Sequence, residues 1–119
     1  LKQDRIPGRE RGRIDIRFIY MTAGSAAEAR AIGADLVPQR LAACVNILEP
    51  MQSLYVWEGE LQEAREAVLI AKTTAARVPE VIDRVKALHS YECPCVVSLP
   101  VEAGHHPFLQ WVAAGVVPD

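Results

Sequence analysis

The stretch Leu54–Thr74, LYVWEGELQEAREAVLIAKTT, constrains this chain most. It reads as two strands with a turn between them. Leu54–Trp57 combines aromatic and branched residues, which suit a pleated, half-buried surface. Gly59, flanked by Glu58 and Glu60, interrupts it. Ala67–Ala71, AVLIA, is a second apolar run of strand length. Alternation puts Tyr55 and Trp57 on one face and Leu54, Val56 and Glu58 on the other. Glu60–Glu66 is charged and shows no apolar period, so the pattern predicts a long connection rather than a tight hairpin. The expected product is a two-stranded ribbon whose tip leaves the body of the domain. A ribbon of that kind is marginal alone in water, and its aromatic rings need a cover. A second subunit is the natural candidate.

The 119 residues fit one domain, and 50% of them are hydrophobic, enough for a core. Leu1–Arg13 is basic, polar and broken by Pro7 and Gly8. It is expected to be a flexible extension ahead of a single domain over 14–119. A net charge of −2 gives no electrostatic footprint for nucleic acid or an anionic membrane. No apolar run approaches the roughly 20 residues of a membrane span, and no leader with an apolar centre is expected. Three cysteines cannot all pair within one chain. Together with the Cys93-x-Cys95 spacing, the odd count points to a reducing compartment, the cytoplasm.

In chain order, Ile14–Tyr20 (IDIRFIY) reads as a first strand. Ser25 and Glu28 form a capping box that opens a helix over Ala26–Ala42, with Pro38 bending or breaking it. Cys44–Leu48 reads as a second strand, ended or bulged by Pro50. After the ribbon, Val78, Val81, Ile82, Val85 and Leu88 make an apolar stripe on a helix over Thr74–Leu88, and Pro79 suits its first turn. Cys95–Val101 is the last main strand, and Pro107–Ala114 a short helix. The order β-α-β-β-α-β predicts an α+β fold of the ferredoxin-like, split βαβ type, with a long ribbon and a short C-terminal helix. One sheet face would stay open, again favouring an oligomer.

The densest cluster of soft ligands is His89, Cys93 and Cys95, in HSYECPC. Thiolate and imidazole together suit Cu(I) or Zn, although Cys-x-Cys is not the Cys-x₂-Cys spacing of structural zinc sites. The alternative is that Cys95 is a buried strand residue and Cys93 a loop thiol. Cys44 is expected in the core, and His105–His106 at a helix entry. Glu58, Lys72, His89, Tyr91 and Glu92 would make an acid–base site only by converging in a cleft. No Gly-rich phosphate loop, GxSxG elbow or HExxH motif is present, and no enzymatic activity is expected.

Five segments then appear in register: RLAACVNI (Arg40–Ile47), SLYVWEGEL (Ser53–Leu61), AKT (Ala71–Thr73), HSYECP (His89–Pro94) and LPVEAG…FLQWV (Leu99–Val112). Together they resemble the CutA family of divalent-cation tolerance proteins over about Ile14–Val112. The resemblance implies a homotrimer whose ribbons extend along neighbouring subunits, and a link to copper and other divalent metals. It implies copper as the cofactor. The trimer geometry is also similar to PII signal-transduction proteins, which hold small effectors in clefts between subunits. Glu58, Lys72 and Tyr91 are the candidates for such a cleft, and His89, Cys93, Cys95 and Met21 for metal. Four positions depart from the family pattern: Ser90 replaces a proline, Cys95 an acidic residue, Met21 stands where bacterial members carry a copper-linked cysteine, and Leu88 precedes His89 where some members have two adjacent histidines. The expected partners are further copies of the chain and divalent or soft metal ions.

Overall fold

The computed structural model describes residues 14–118; the extension Leu1–Arg13 lies outside them. Among the described residues four strands, β1 (Ile16–Ala23), β2 (Cys44–Trp57), β3 (Glu60–Thr74) and β4 (Val96–Pro100), make one antiparallel sheet in the order β2-β3-β1-β4. Helices α1 (Ala26–Leu36) and α2 (Val78–Leu88) are the two crossovers, and α3 (His106–Gly115) follows β4. This is the ferredoxin-like α+β arrangement. Strand alternation builds the core. Ile19, Met21 and Ala23 of β1 and Ala67, Leu69 and Ala71 of β3 meet Ala29, Ile32 and Leu36 of α1 and Val81 and Val85 of α2.

Strand β1 covers Ile16–Ala23 instead of Ile14–Tyr20, and β4 covers Val96–Pro100 instead of Cys95–Val101; the helical boundaries differ for local reasons. Helix α1 stops at Leu36 instead of reaching Ala42. Pro38 has no N–H to continue the ladder, and the chain turns back through Arg40 at φ 60°. The Leu41 and Ala42 N–H groups then return to the Leu36 carbonyl. At the other crossover, a 3₁₀ turn over Ala75–Arg77 precedes α2, and Pro79 sits in its first turn, where a missing N–H costs nothing.

The ribbon departs most from expectation. The segments Cys44–Leu48 and Leu54–Trp57 are one strand. Leu48 pairs with Val68 and Met51 with Glu66, so Glu49 and Pro50 oppose Ala67 alone. A bulge accommodates a proline that cannot donate to the ladder. The charged run Glu60–Glu66 is not a loop but the first half of β3. Trp57 pairs with Glu60, leaving a two-residue turn with Glu58 at φ 51° and Gly59 at φ 81°. Positive φ at both positions is the tight hairpin geometry that matches strand twist. No atom lies within 4 Å of a Cβ built on Gly59, so a side chain there costs only backbone strain. Gly59→Ala should therefore lower stability by about 1 kcal/mol, read from denaturant unfolding. An unchanged midpoint would show that the turn tolerates a left-handed alanine.

The ribbon gives the molecule its proportions, 55 × 27 × 21 Å with a radius of gyration of 16.2 Å, against about 13 Å for a compact chain of similar length. The face away from α1 and α2 carries Phe18, Tyr20, Val97 and Leu99, matched by register. Val97 and Leu99 are exposed there, as is Leu48 of β2. Helix α3 covers one end of this face. The Lys72 Nζ lies 5.4 Å from the Phe18 ring centroid and 5.5 Å from that of Phe108.

Candidate functional site

Where the ribbon leaves the body, the start of α1, the bulge of β2 and the loop after α2 meet. Ser25 caps α1 by accepting the Glu28 N–H, and Glu28 Oε1 accepts the Gly24 N–H. The same carboxylate reaches across to the loop after α2. Its Oε2 accepts the Ser90 N–H at 2.7 Å and its Oε1 the Ser90 hydroxyl at 3.0 Å. One residue thus completes a helix cap and ties a loop 62 positions away.

His89 is the centre of that loop. Its side chain is fully enclosed. Nε2 lies 2.7 Å from the Thr22 carbonyl, and Nδ1 lies 3.0 Å from the Tyr91 N–H. A carbonyl only accepts and a backbone amide only donates, so the ring hydrogen belongs on Nε2. Neither nitrogen is left with a lone pair for a metal. Tyr91 continues the latch: its ring packs 4.7 Å from the His89 ring, and its hydroxyl donates to Glu66 Oε2 at 2.7 Å. Ser53 of β2 donates to the other Glu66 oxygen at 2.6 Å. A cleft of about 130 Å³ beside it is lined by Gly24, Ser25, Ala26, Glu49, Pro50, Arg65 and Glu66.

The electrostatics follow from these contacts. Burial works against ionising Glu28, but the Ser90 and Gly24 hydrogen bonds, with His89 alongside, outweigh it and hold the carboxyl below the usual range. Burial, then the bond to Glu66 and the charges of Glu66 and Glu28, push the Tyr91 hydroxyl up to about 12. Tyr91 is thus a fixed donor at neutral pH, not a base. For Glu28 the folded form prefers the carboxylate more than the unfolded chain does. Its contribution is complete above the unfolded value of about 4.3 and is lost as pH falls through the lower folded value. Glu28→Gln should cost about 1–3 kcal/mol at pH 7, since charged acceptors make the stronger bonds. It should also flatten the acid limb of stability below about pH 5. Equal pH slopes for the two proteins would remove Glu28 from this role.

The residues singled out in the sequence do not gather within one chain. Met21 is 1% exposed in the core, and His89 is engaged at both nitrogens. Only Cys93 and Cys95 are exposed thiols, so the reading of Cys95 as a buried strand residue is corrected: it precedes β4. Among the described residues no group of three or more His, Cys, Asp or Glu is placed to hold a metal. Cys44, expected in the core, is half-buried opposite Lys72. His105 and His106 form the entry of α3. Glu58 is at the ribbon tip, and Lys72 is near the far end of β3, about 40 Å away at roughly 3.3 Å per residue. Tyr91 bonds Glu66 between them. A cleft shared by Glu58, Lys72 and Tyr91 therefore requires more than one subunit. The sequence reading missed Glu66, Ser53 and Thr22, and it saw Glu28 only as a cap. The capping box was the one signal that pointed to this corner.

Fold and site together define a small ferredoxin-like protein with a projecting ribbon and a hydrogen-bonded latch at the ribbon's base. The profile of the family described as CutA1 divalent ion tolerance protein matches residues 17–115, and the chain belongs to that family. It is 46% identical over 95 residues to the divalent-cation tolerance protein CutA of Archaeoglobus fulgidus, covering 80% of this chain and 92% of that one. The solved structure from that organism, described as a periplasmic divalent cation tolerance protein CutA, superposes with a TM-score of 0.82 at 44% identity, covering 86% of this chain and 99% of the other. The divalent ion tolerance protein CutA1 of Ehrlichia chaffeensis gives a TM-score of 0.84 at 30% identity, over 88% and 98% of the two chains. Among the described residues no helix is long and apolar enough to cross a membrane. The family is described by ion tolerance, not by a reaction.

Proposed function

We propose that the chain acts as a homotrimeric divalent-cation tolerance protein that binds or responds to copper and other heavy-metal ions. The observation that carries the assembly is the bare ribbon. Leu54, Val56, Trp57 and Leu61 are 65%, 69%, 63% and 68% exposed in the single chain. Neighbouring positions on both faces are apolar, so the ribbon needs cover on two sides, which contact with one flat surface does not provide. Family membership supports the metal role. The three free thiols support a reducing, cytoplasmic setting.

A second reading, an effector-binding trimer of the PII kind, draws on the cleft at the ribbon base. Arg65 and the first turn of α1 border it, and helix N-termini favour anionic groups. Light scattering should give three times the 13.1 kDa chain mass; a folded monomer would sink the assembly. Calorimetry with copper, zinc and nucleotides separates the two readings. Heat from nucleotides alone would favour the effector role.

A further inference from the structure

The loop that carries the latch ends in two thiols that no part of the latch uses. Cys93 and Cys95 are both free and exposed, with Pro94 between them. The segment before them is pinned by the bonds of His89 to Thr22, Ser90 to Glu28 and Tyr91 to Glu66. The segment after them is pinned by β4, whose Val96 pairs with Met21. Pro94 fixes its own φ, and it keeps Cys93 out of helical backbone. The pair therefore flanks Pro94 on a short irregular piece, with a bend at Cys93, between two anchored segments. Residues two apart are separated by about 6.6 Å when the backbone is extended and by less across a bend. Two metal–thiolate bonds of roughly 2.3 Å each, in line, span about 4.6 Å between sulfurs, within reach of side chains so spaced.

We propose that Cys93 and Cys95 form a two-thiolate site for a soft monovalent cation such as Cu(I). The surroundings choose the ion. Structural zinc sites take four ligands, and here His89 and Met21 are sealed in the interior. Thiolates alone match a soft ion and not a hard one. Each thiol gives up its proton to solvent as the ion binds, and the copper stays Cu(I), so affinity falls with falling pH. The proposal deepens the metal-response reading and relies on it for its biological use; its chemistry stands apart from the trimer.

The test is an anaerobic titration of the full chain with Cu(I) against a chromogenic chelator, with light scattering on the same samples. One Cu(I) per chain is expected, with X-ray absorption showing two sulfur neighbours. Cys93→Ser and Cys95→Ser should each weaken binding by about 10²–10⁴-fold, the usual loss when a second linked contact is removed. Both positions are exposed, so melting temperature and mass should not move. An effect from only one of the two variants would overturn the site, as would wild-type affinity in the double variant. A nitrogen neighbour at the copper, or one ion per three chains, would also overturn it. A monomeric mass with intact Cu(I) binding would sink the trimer and leave this site standing.

Discussion

Trp57→Ala should take the assembly apart while leaving the single chain folded. The ring is 63% exposed in one chain, so its removal takes little from the isolated fold. If a neighbouring subunit buries it, the loss is that of a large aromatic truncation, about 3–5 kcal/mol. At 1.4 kcal/mol per factor of ten, this weakens each subunit's contact by roughly two to four orders of magnitude. A dilution series read by light scattering should show the variant falling to the chain mass where the parent remains assembled. Far-ultraviolet circular dichroism should stay unchanged in the same samples. Leu61→Ser, across the ribbon near its tip, should act in the same direction with a smaller effect. If parent and Trp57→Ala dissociate together, Trp57 lies on a free surface and the cover of the ribbon is elsewhere.

The element order was legible because three independent patterns agreed. The capping box at Ser25–Glu28, the three-and-four spacing through Val81 and Val85, and the AVLIA run each have one natural reading. The ribbon's second strand was not legible from Glu60 to Glu66. Alternation marks a strand only when one face is buried by the same chain, and in that run Leu61, Glu63 and Arg65 are exposed. The sequence there looks like a loop because a single chain gives it nothing to pack against. The loose helical spacing of Ala29, Ile32, Leu36 and Leu41 carries the expected helix past its observed end, because Leu41 and Ala42 are apolar and, in the fold, buried. Their burial comes from the chain folding back after Pro38, not from further helical turns. The site was least legible. Spacing grouped His89, Cys93 and Cys95, but spacing carries no information on the Thr22 carbonyl, 67 residues from His89. Nor could Glu66 be paired with Tyr91 before the sheet register was known.

His89→Ala is the variant that most directly separates a structural histidine from a metal ligand. Truncation opens a cavity where a ring with no exposed side-chain surface now sits. It also leaves the Thr22 carbonyl and the Tyr91 N–H without the partners they now hold at 2.7 and 3.0 Å. Each hydrogen bond lost at these part-buried and exposed partners costs about 0.5–1.5 kcal/mol. With the cavity added, the metal-free protein should lose roughly 3–5 kcal/mol, measured by urea unfolding in the presence of a chelator. His89→Gln should recover part of this, because its side-chain amide can donate to Thr22 while nothing replaces Nδ1. A ligand role predicts the opposite pattern, in which metal-free stability is unchanged and Cu(I) affinity drops in both variants. A bond-by-bond loss of stability with Cu(I) affinity retained would place His89 in the latch, because only the latch needs both of its nitrogens when no ion is bound.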